Sequence, residues 1–157
     1  MAADNASNKK KPWLKRLLIA GGILLLGGAA AVWYIFNLQF DDTKSVKADY
    51  TVSALNFLSE FKPGDSTVNK KYRDKIIVVN GIVSETEMTA DSSINIKMAD
   101  TLSGNYIMFT FQDQSRNEAS QLKAGDSVSI KGSFSDGVYS QILEVMMVNL
   151  KRCTLNK

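Results

Sequence analysis

The chain has 157 residues, 45% of them hydrophobic and 22% charged, which bounds it to one domain plus an appendage. Histidine is absent and cysteine occurs once, so the commonest general base and metal ligand is missing and no intrachain disulfide can form. The formal net charge of +3 is unevenly spread: residues 1–40 hold five Lys/Arg and one Asp, leaving 14 basic and 15 acidic residues on 41–157. The larger part therefore lacks the basic footprint with which nucleic-acid binders neutralise phosphate.

Lys9, Lys10, Lys11, Lys15 and Arg16 make residues 1–16 a basic tail, and "LLIAGGILLLGGAAAVWYIF" at 17–36 follows without a charge. About 20 apolar residues at roughly 1.5 Å each can cross a hydrocarbon core of about 30 Å. A basic cluster stays on the cytoplasmic side. The pattern predicts a transmembrane anchor helix over 17–36, with the N-terminus cytoplasmic and the remainder outside. A cleaved signal peptide shares the basic start and the small run from Gly28 to Ala31, but here the apolar run continues through "VWYIF". No cysteine follows that could carry a lipid, and the one thiol, Cys153, is expected to be a buried small hydrophobe.

"NLQFDDTKSVKAD", at 37–49, is polar and without period, and reads as a tether. "TVSALNFLSEFKPG" then places Ser53 at an N-cap, Ala54, Leu55, Leu58 and Phe61 at helical spacing, and a stop at Pro63-Gly64. "DSTVNKKYRDK" suggests a second short helix, with Asp65 or Ser66 as cap and Val68 and Tyr72 four apart. Its Lys70, Lys71, Arg73 and Lys75 read as a solvated face beside Asp65 and Asp74, with an anionic ligand as the other reading.

From Lys75 the period becomes two. "SSINIKMAD" sets Ile94, Ile96 and Met98 against Ser93, Asn95 and Lys97, and "YIMFTFQD" sets Ile107, Phe109 and Phe111 against Tyr106, Met108, Thr110 and Gln112. Residues 103–105, "SGN", are expected to join these two strands. "QSRNEASQLKAGD" interrupts the alternation, "SVSIKGSFSDG" resumes it, Asp136-Gly137 is expected to turn the chain, and "VYSQILEVMMVNLKRC" is the last strand. Within "KIIVVNGIVSETE", Asn80-Gly81 has the form of a hairpin turn. However, "VNGIVSE" aligns with "IKGSFSD", where Lys-Gly is no turn pair, so both Gly81 and Gly132 are read as bends or bulges within strands. Glu85 and Glu87 share one strand face and read as solvated. No Gly-rich phosphate loop and no metal-spaced cysteine set appears, so neither catalysis nor a cofactor is expected.

Five strands with a connection after the third, glycines in the first and fourth, and the phrases "DYTVSALNFLSEF", "VNKKYRDKIIVVNGIVSE" and "LKAGDSVSIKGSF" resemble an OB-fold. Over 49–153 the chain most resembles the bacterial envelope family called tRNA_anti-like. The resemblance implies a mainly β domain over 50–155: a five-stranded Greek-key barrel preceded by one or two short helices, whose second and third strands form the ligand face. That face would be Asn95, Lys97, Tyr106, Met108 and Thr110. The expectation is thus a single-pass inner-membrane protein with an extracytoplasmic, non-catalytic binding or scaffolding module. Its expected partners are the lipid bilayer through 17–36 and an envelope protein, peptide or glycan, with nucleic acid disfavoured as a partner. The alternative is a single-stranded nucleic-acid-binding OB-fold protein.

Overall fold

In the computed structural model, which describes residues 12–36, 42–90 and 93–157, the chain divides into two units, 1–40 and 41–157. The first contains helix α1 (Pro12–Phe36). Side chains are described there for Ile19 and for 21–34, and Leu24, Leu25, Leu26 and Trp33 among them are exposed. Among the described residues no helix is long and apolar enough to cross a membrane. The transmembrane helix expected over 17–36, and the bilayer contact through it, are corrected accordingly. The Lys9 to Lys11 cluster and positions 37–41 of the expected tether lie outside the described residues.

Among its described residues the second unit carries seven strands, β1 (Tyr50–Ser53), β2 (Ile76–Ile82), β3 (Glu85–Met88), β4 (Ile94–Ala99), β5 (Tyr106–Phe111), β6 (Ser127–Ser140) and β7 (Val145–Leu155). They form one sheet in the order β1-β2-β6-β7-β5-β4-β3. A five-stranded barrel was expected; the open seven-stranded sheet corrects it, and two departures account for the difference in strands. Tyr50–Ser53, read as the run into a helix, pairs parallel to β2 as an added edge strand, held at its start by Asp49, whose carboxylate accepts from the Ile76 N–H at 2.9 Å. The strand expected from Lys75 onward is divided at Val83-Ser84, where the chain changes partners. Val83 N–H donates to the Asp126 carbonyl, whereas Ser84 N–H donates to that of Lys97; β2 pairs with β6 and β3 with β4. Alternation alone cannot reveal such an exchange, because the period stays two across it. Asn80 and Gly81 nevertheless lie inside β2, opposite Ser129 and Val128, so they form no turn.

Asp136-Gly137 is no turn either. Both residues continue β6, opposite Asn149 and Val148, next to a register shift between Phe134 and Asp136. The chain instead turns at 141–144, where Glu144 adopts φ 55°. Gly137 is held from outside the sheet: its N–H donates to Asn69 Oδ1 at 2.7 Å, and its carbonyl accepts from Asn69 Nδ2 at 2.8 Å.

Helices α2 (Ala54–Glu60) and α3 (Thr67–Tyr72) lie where the caps place them. Ser53 accepts from the Asn56 N–H at 3.4 Å, and Asp65 accepts from the Thr67 N–H at 2.8 Å. They bury an aromatic cluster against β6, with Phe57 centred 5.1 Å from Tyr72 and Tyr72 5.9 Å from Phe134. Such edge and tilted pairs each add about 0.5–1.5 kcal/mol to the burial itself. After β5, a 3₁₀ turn (Asp113–Ser115) and α4 (Arg116–Ala119) form the weakly helical connection. Cys153 is fully buried, and burial pushes its thiol pKa up, as befits an apolar filler.

Residues 42–46 pack on the sheet. Thr43 is buried, and the buried Lys131 donates its ammonium to the carbonyls of Lys44 at 2.9 Å and Val46 at 3.0 Å.

Candidate functional site

Because Ile94, Ile96 and Met98 of β4 and Ile107, Phe109 and Phe111 of β5 all enter the core, pleating sends the residues between them to the outer face. Asn95, Lys97, Tyr106, Met108 and Thr110 are therefore neighbours there. Register sets Asn95 opposite Thr110, Lys97 opposite Met108 and Ala99 opposite Tyr106. All five are half-buried, so each has a side free for contact and a side resting on the sheet.

Lys97 organises this surface. Its Nζ lies 2.7 Å from Glu85 Oε2, the residue opposite it on β3, and 5.0 Å from the centroid of the Tyr106 ring. The hydrogen bond to Glu85 raises its pKa, so it is a fixed positive charge. A cation over a tyrosine face at this exposure contributes about 0.5–1 kcal/mol. Tyr106 is pinned at its far end, where its hydroxyl donates to Met147 Sδ at 2.7 Å. Asn95 differs: its Oδ1 is buried and has no hydrogen-bond partner among the described residues. An acceptor left so costs about 1–3 kcal/mol.

The face is wider than two strands. Glu87 stands opposite Asn95 on β3, and β7 adds Met147 and Asn149 beside Tyr106 and Met108 through its parallel pairing with β5. Asn149 Nδ2 in turn donates to Asp136 Oδ1 at 2.7 Å, and Lys151 continues the β7 alternation, exposed. The charges are thus mixed: Lys97 and Lys151 share the surface with Glu85, Glu87 and Asp136. Glu85 and Glu87 could be placed on one face by alternation. Met147, Asn149 and Lys151 could not, since nothing in a sequence announces which distant strand a parallel partner will be.

Two residues of the basic run at 70–75 are paired with acids. Lys71 pairs with Glu60 at 2.6 Å and Lys75 with Asp49 at 3.4 Å.

A family model described as tRNA_anti-like matches residues 10–153. No curated protein matches the chain. Among solved structures, a proposed nucleic acid-binding lipoprotein from Klebsiella pneumoniae subsp. pneumoniae is 17% identical, with a TM-score of 0.53 over 76% of this chain and 98% of that one. At that identity the likeness is one of fold. Asparaginyl-tRNA synthetase from Entamoeba histolytica (12% identical, TM-score 0.38) and a proposed aspartyl-tRNA synthetase from Leishmania major (13%, 0.42) match over 53% and 75% of this chain. The chain spans only 21% and 22% of those two enzymes. The expectation that set nucleic acid aside as a partner, drawn from the near-neutral charge of 41–157, is corrected beside a relative of the same fold bearing the Klebsiella protein's description. That charge is an average over the whole domain, and it carries no information about one face.

Proposed function

The chain belongs to the tRNA_anti-like family, and on that premise we propose that it is a non-catalytic OB-fold binding module of the cell envelope, holding an extended ligand across the outer face of β4 and β5. The observation that carries this reading is the Lys97–Tyr106 pair, a fixed cation over an aromatic ring on the half-exposed side of two core strands. The unpartnered Asn95 Oδ1 beside it supports a ligand with a hydrogen-bond donor, since the amide turns readily about its terminal torsion. The absence of histidine supports a binding role rather than a catalytic one. An envelope location draws support from the Klebsiella relative's being described as a lipoprotein.

The same relative's description as nucleic acid-binding supports single-stranded nucleic acid as the ligand. OB-folds take such strands by stacking bases on aromatic side chains, and Tyr106, Asn95 and Thr110 supply a ring and base-edge contacts. The acids on the face limit phosphate neutralisation to Lys97 and Lys151. Binding would then rest on bases, with a shallow salt slope of about −1.4 in the logarithm of the association constant against log salt, roughly −0.7 for each of the two lysines. Fluorescence anisotropy of the full chain with labelled 12-nucleotide single strands at two salt concentrations tests this. Saturable binding, weakened about tenfold by Tyr106→Ala, is expected, in line with about 1–3 kcal/mol per stacked base. If no oligonucleotide binds, the nucleic-acid reading falls; binding indifferent to Tyr106→Ala would move the site off this face.

A further inference from the structure

A concavity adjoins the Lys97–Tyr106 surface at Ala99, where the end of β1, the start of α2, the end of β2 and the hairpin after β4 meet. Its volume is about 530 Å³, within the range of small-molecule sites, roughly 300–1,000 Å³. Gly81 lets it form. A Cβ on that residue would stand 2.7 Å from Met98 Sδ and 2.9 Å from Ala54 Cβ, so the missing side chain is what allows strand and helix to close to contact at the base of the cleft. Around the mouth stand Leu55, Ile82 and Leu102, which are 60%, 62% and 96% exposed. A rim of three large aliphatics left in water around a concavity is the arrangement that an apolar occupant would cover.

The polar groups narrow the class of occupant. Asp100, the one charged residue of the lining, has both carboxylate oxygens engaged: Oδ1 accepts from the Leu102 N–H at 3.0 Å and Oδ2 from the Ser103 hydroxyl at 2.6 Å. Ser84 Oγ accepts from the Ala99 N–H at 2.8 Å, and Ser53 Oγ caps α2. Among the described residues no lysine or arginine lines the cleft, so an anion would lose its hydration with nothing there to replace it. Asn80 and Thr101 line it with exposed side chains that can each offer a hydrogen bond.

We infer that this cleft is a binding site for an uncharged small molecule with a largely apolar body and one neutral polar group, seated on Gly81 between Leu55, Ile82 and Leu102 and met at its head by Asn80 or Thr101. The site meets the β4–β5 outer face at Ala99 and does not rest on the function proposed for that face.

N-Phenyl-1-naphthylamine, which is uncharged, apolar and carries one N–H, is a suitable probe because its fluorescence rises on entering an apolar site. Titrated into the full chain, it should give a saturable increase. Leu55→Trp, which fills the mouth, and Leu102→Asp, which brings an unpaired carboxylate to it, should each weaken binding at least tenfold. Leu102 is at an exposed hairpin tip, so its replacement leaves the core intact and keeps the test valid even if Leu55→Trp disturbs α2. Ile142→Ser, at an equally exposed aliphatic outside the cleft, should leave probe affinity unchanged. Absence of saturable binding to the unaltered chain, or binding that Leu102→Asp leaves within twofold, would overturn the inference.

Discussion

Gly132 sits where β6 slips its register against β7, between Lys131 and Ser133. A Cβ at this position would lie 2.6 Å from Cys153 Sγ and 3.2 Å from Leu150 Cβ. Both neighbours are fully buried, and close-packed interiors do not yield cheaply. Gly132→Ala is therefore expected to cost about 1–3 kcal/mol in urea denaturation. Cys153→Ala removes the nearest atom, so the double variant should be destabilised by less than the sum of the two single ones, with a coupling of about 0.5–2 kcal/mol. Strict additivity would show that the sulfur is not what the new methyl meets. Gly81 works in the same way toward Met98 and Ala54, although β2 keeps a regular register through it. That these two glycines belong inside strands was legible in the sequence, because each is flanked by β-branched or aromatic residues in matching order. What occupies the space each leaves was not legible, since Met98, Ala54 and Cys153 arrive from elsewhere in the chain.

At the scale of elements, Asn69 adds hydrogen bonds to the packing of Tyr72 on Phe134 that joins α3 to β6. Asn69 spans both backbone groups of Gly137, at 2.7 and 2.8 Å, while a Cβ on Gly137 would lie 2.5 Å from Phe61 Cε1. Asn69→Ala should cost about 1–3 kcal/mol, the penalty for stranding partly buried backbone groups. Amide exchange should quicken at Gly137 and through α3 while the β5–β7 ladder stays protected. Unchanged protection at Gly137 would mean that the amide bridge contributes nothing to docking. This bridge also explains why Asp136-Gly137 misleads a reader of the sequence. The pair carries the local signal of a hairpin, and a side chain 68 positions earlier satisfies the same groups within a strand. Where the signal is itself local, reading succeeds. Ser53 as a cap and Val68 with Tyr72 at helical spacing place α2 and α3 correctly, and the alternation of β4 and β5 identifies which side chains share the outer face. Of the candidate site, the half contributed by these two adjacent strands was therefore readable; the half from β7 depends on a parallel pairing with no short-range cause.

Over the whole molecule the titratable groups make a consistent set. Asp42, Asp49, Asp65, Asp100 and Glu118 all have pKa values below the ordinary carboxylate range. The chief causes are the Lys44 N–H for Asp42, the Ile76 N–H for Asp49, the Thr67 hydroxyl for Asp65, the Ser103 hydroxyl for Asp100 and the Lys157 ammonium for Glu118. Several hold junctions: the start of β1, the entry to α3 and the turn between β4 and β5. A carboxyl whose pKa is lower in the folded chain binds fewer protons there than in the unfolded one, so its contribution is present above the ordinary values of 3.8 and 4.5 and is lost as pH falls through the folded values. Lys97 and Lys71 have raised values, chiefly through hydrogen bonds to Glu85 and Glu60. Their contributions are complete below 10.5 and are lost only as pH rises through the folded values. Between these limits the sequence contains no histidine, and burial pushes the Cys153 thiol away from neutrality. Thermal unfolding of the full chain should therefore show a Tm that is flat from about pH 5 to about pH 9 and falls steeply below about pH 4. Asp49→Asn should lower the plateau, because the amide holds the Ile76 N–H less strongly, and should also shrink the acid drop, because one of the titrating groups is gone. An inflection between pH 6 and 7, or an acid drop as large in the variant as in the parent, would show that groups other than these carboxylates govern the response.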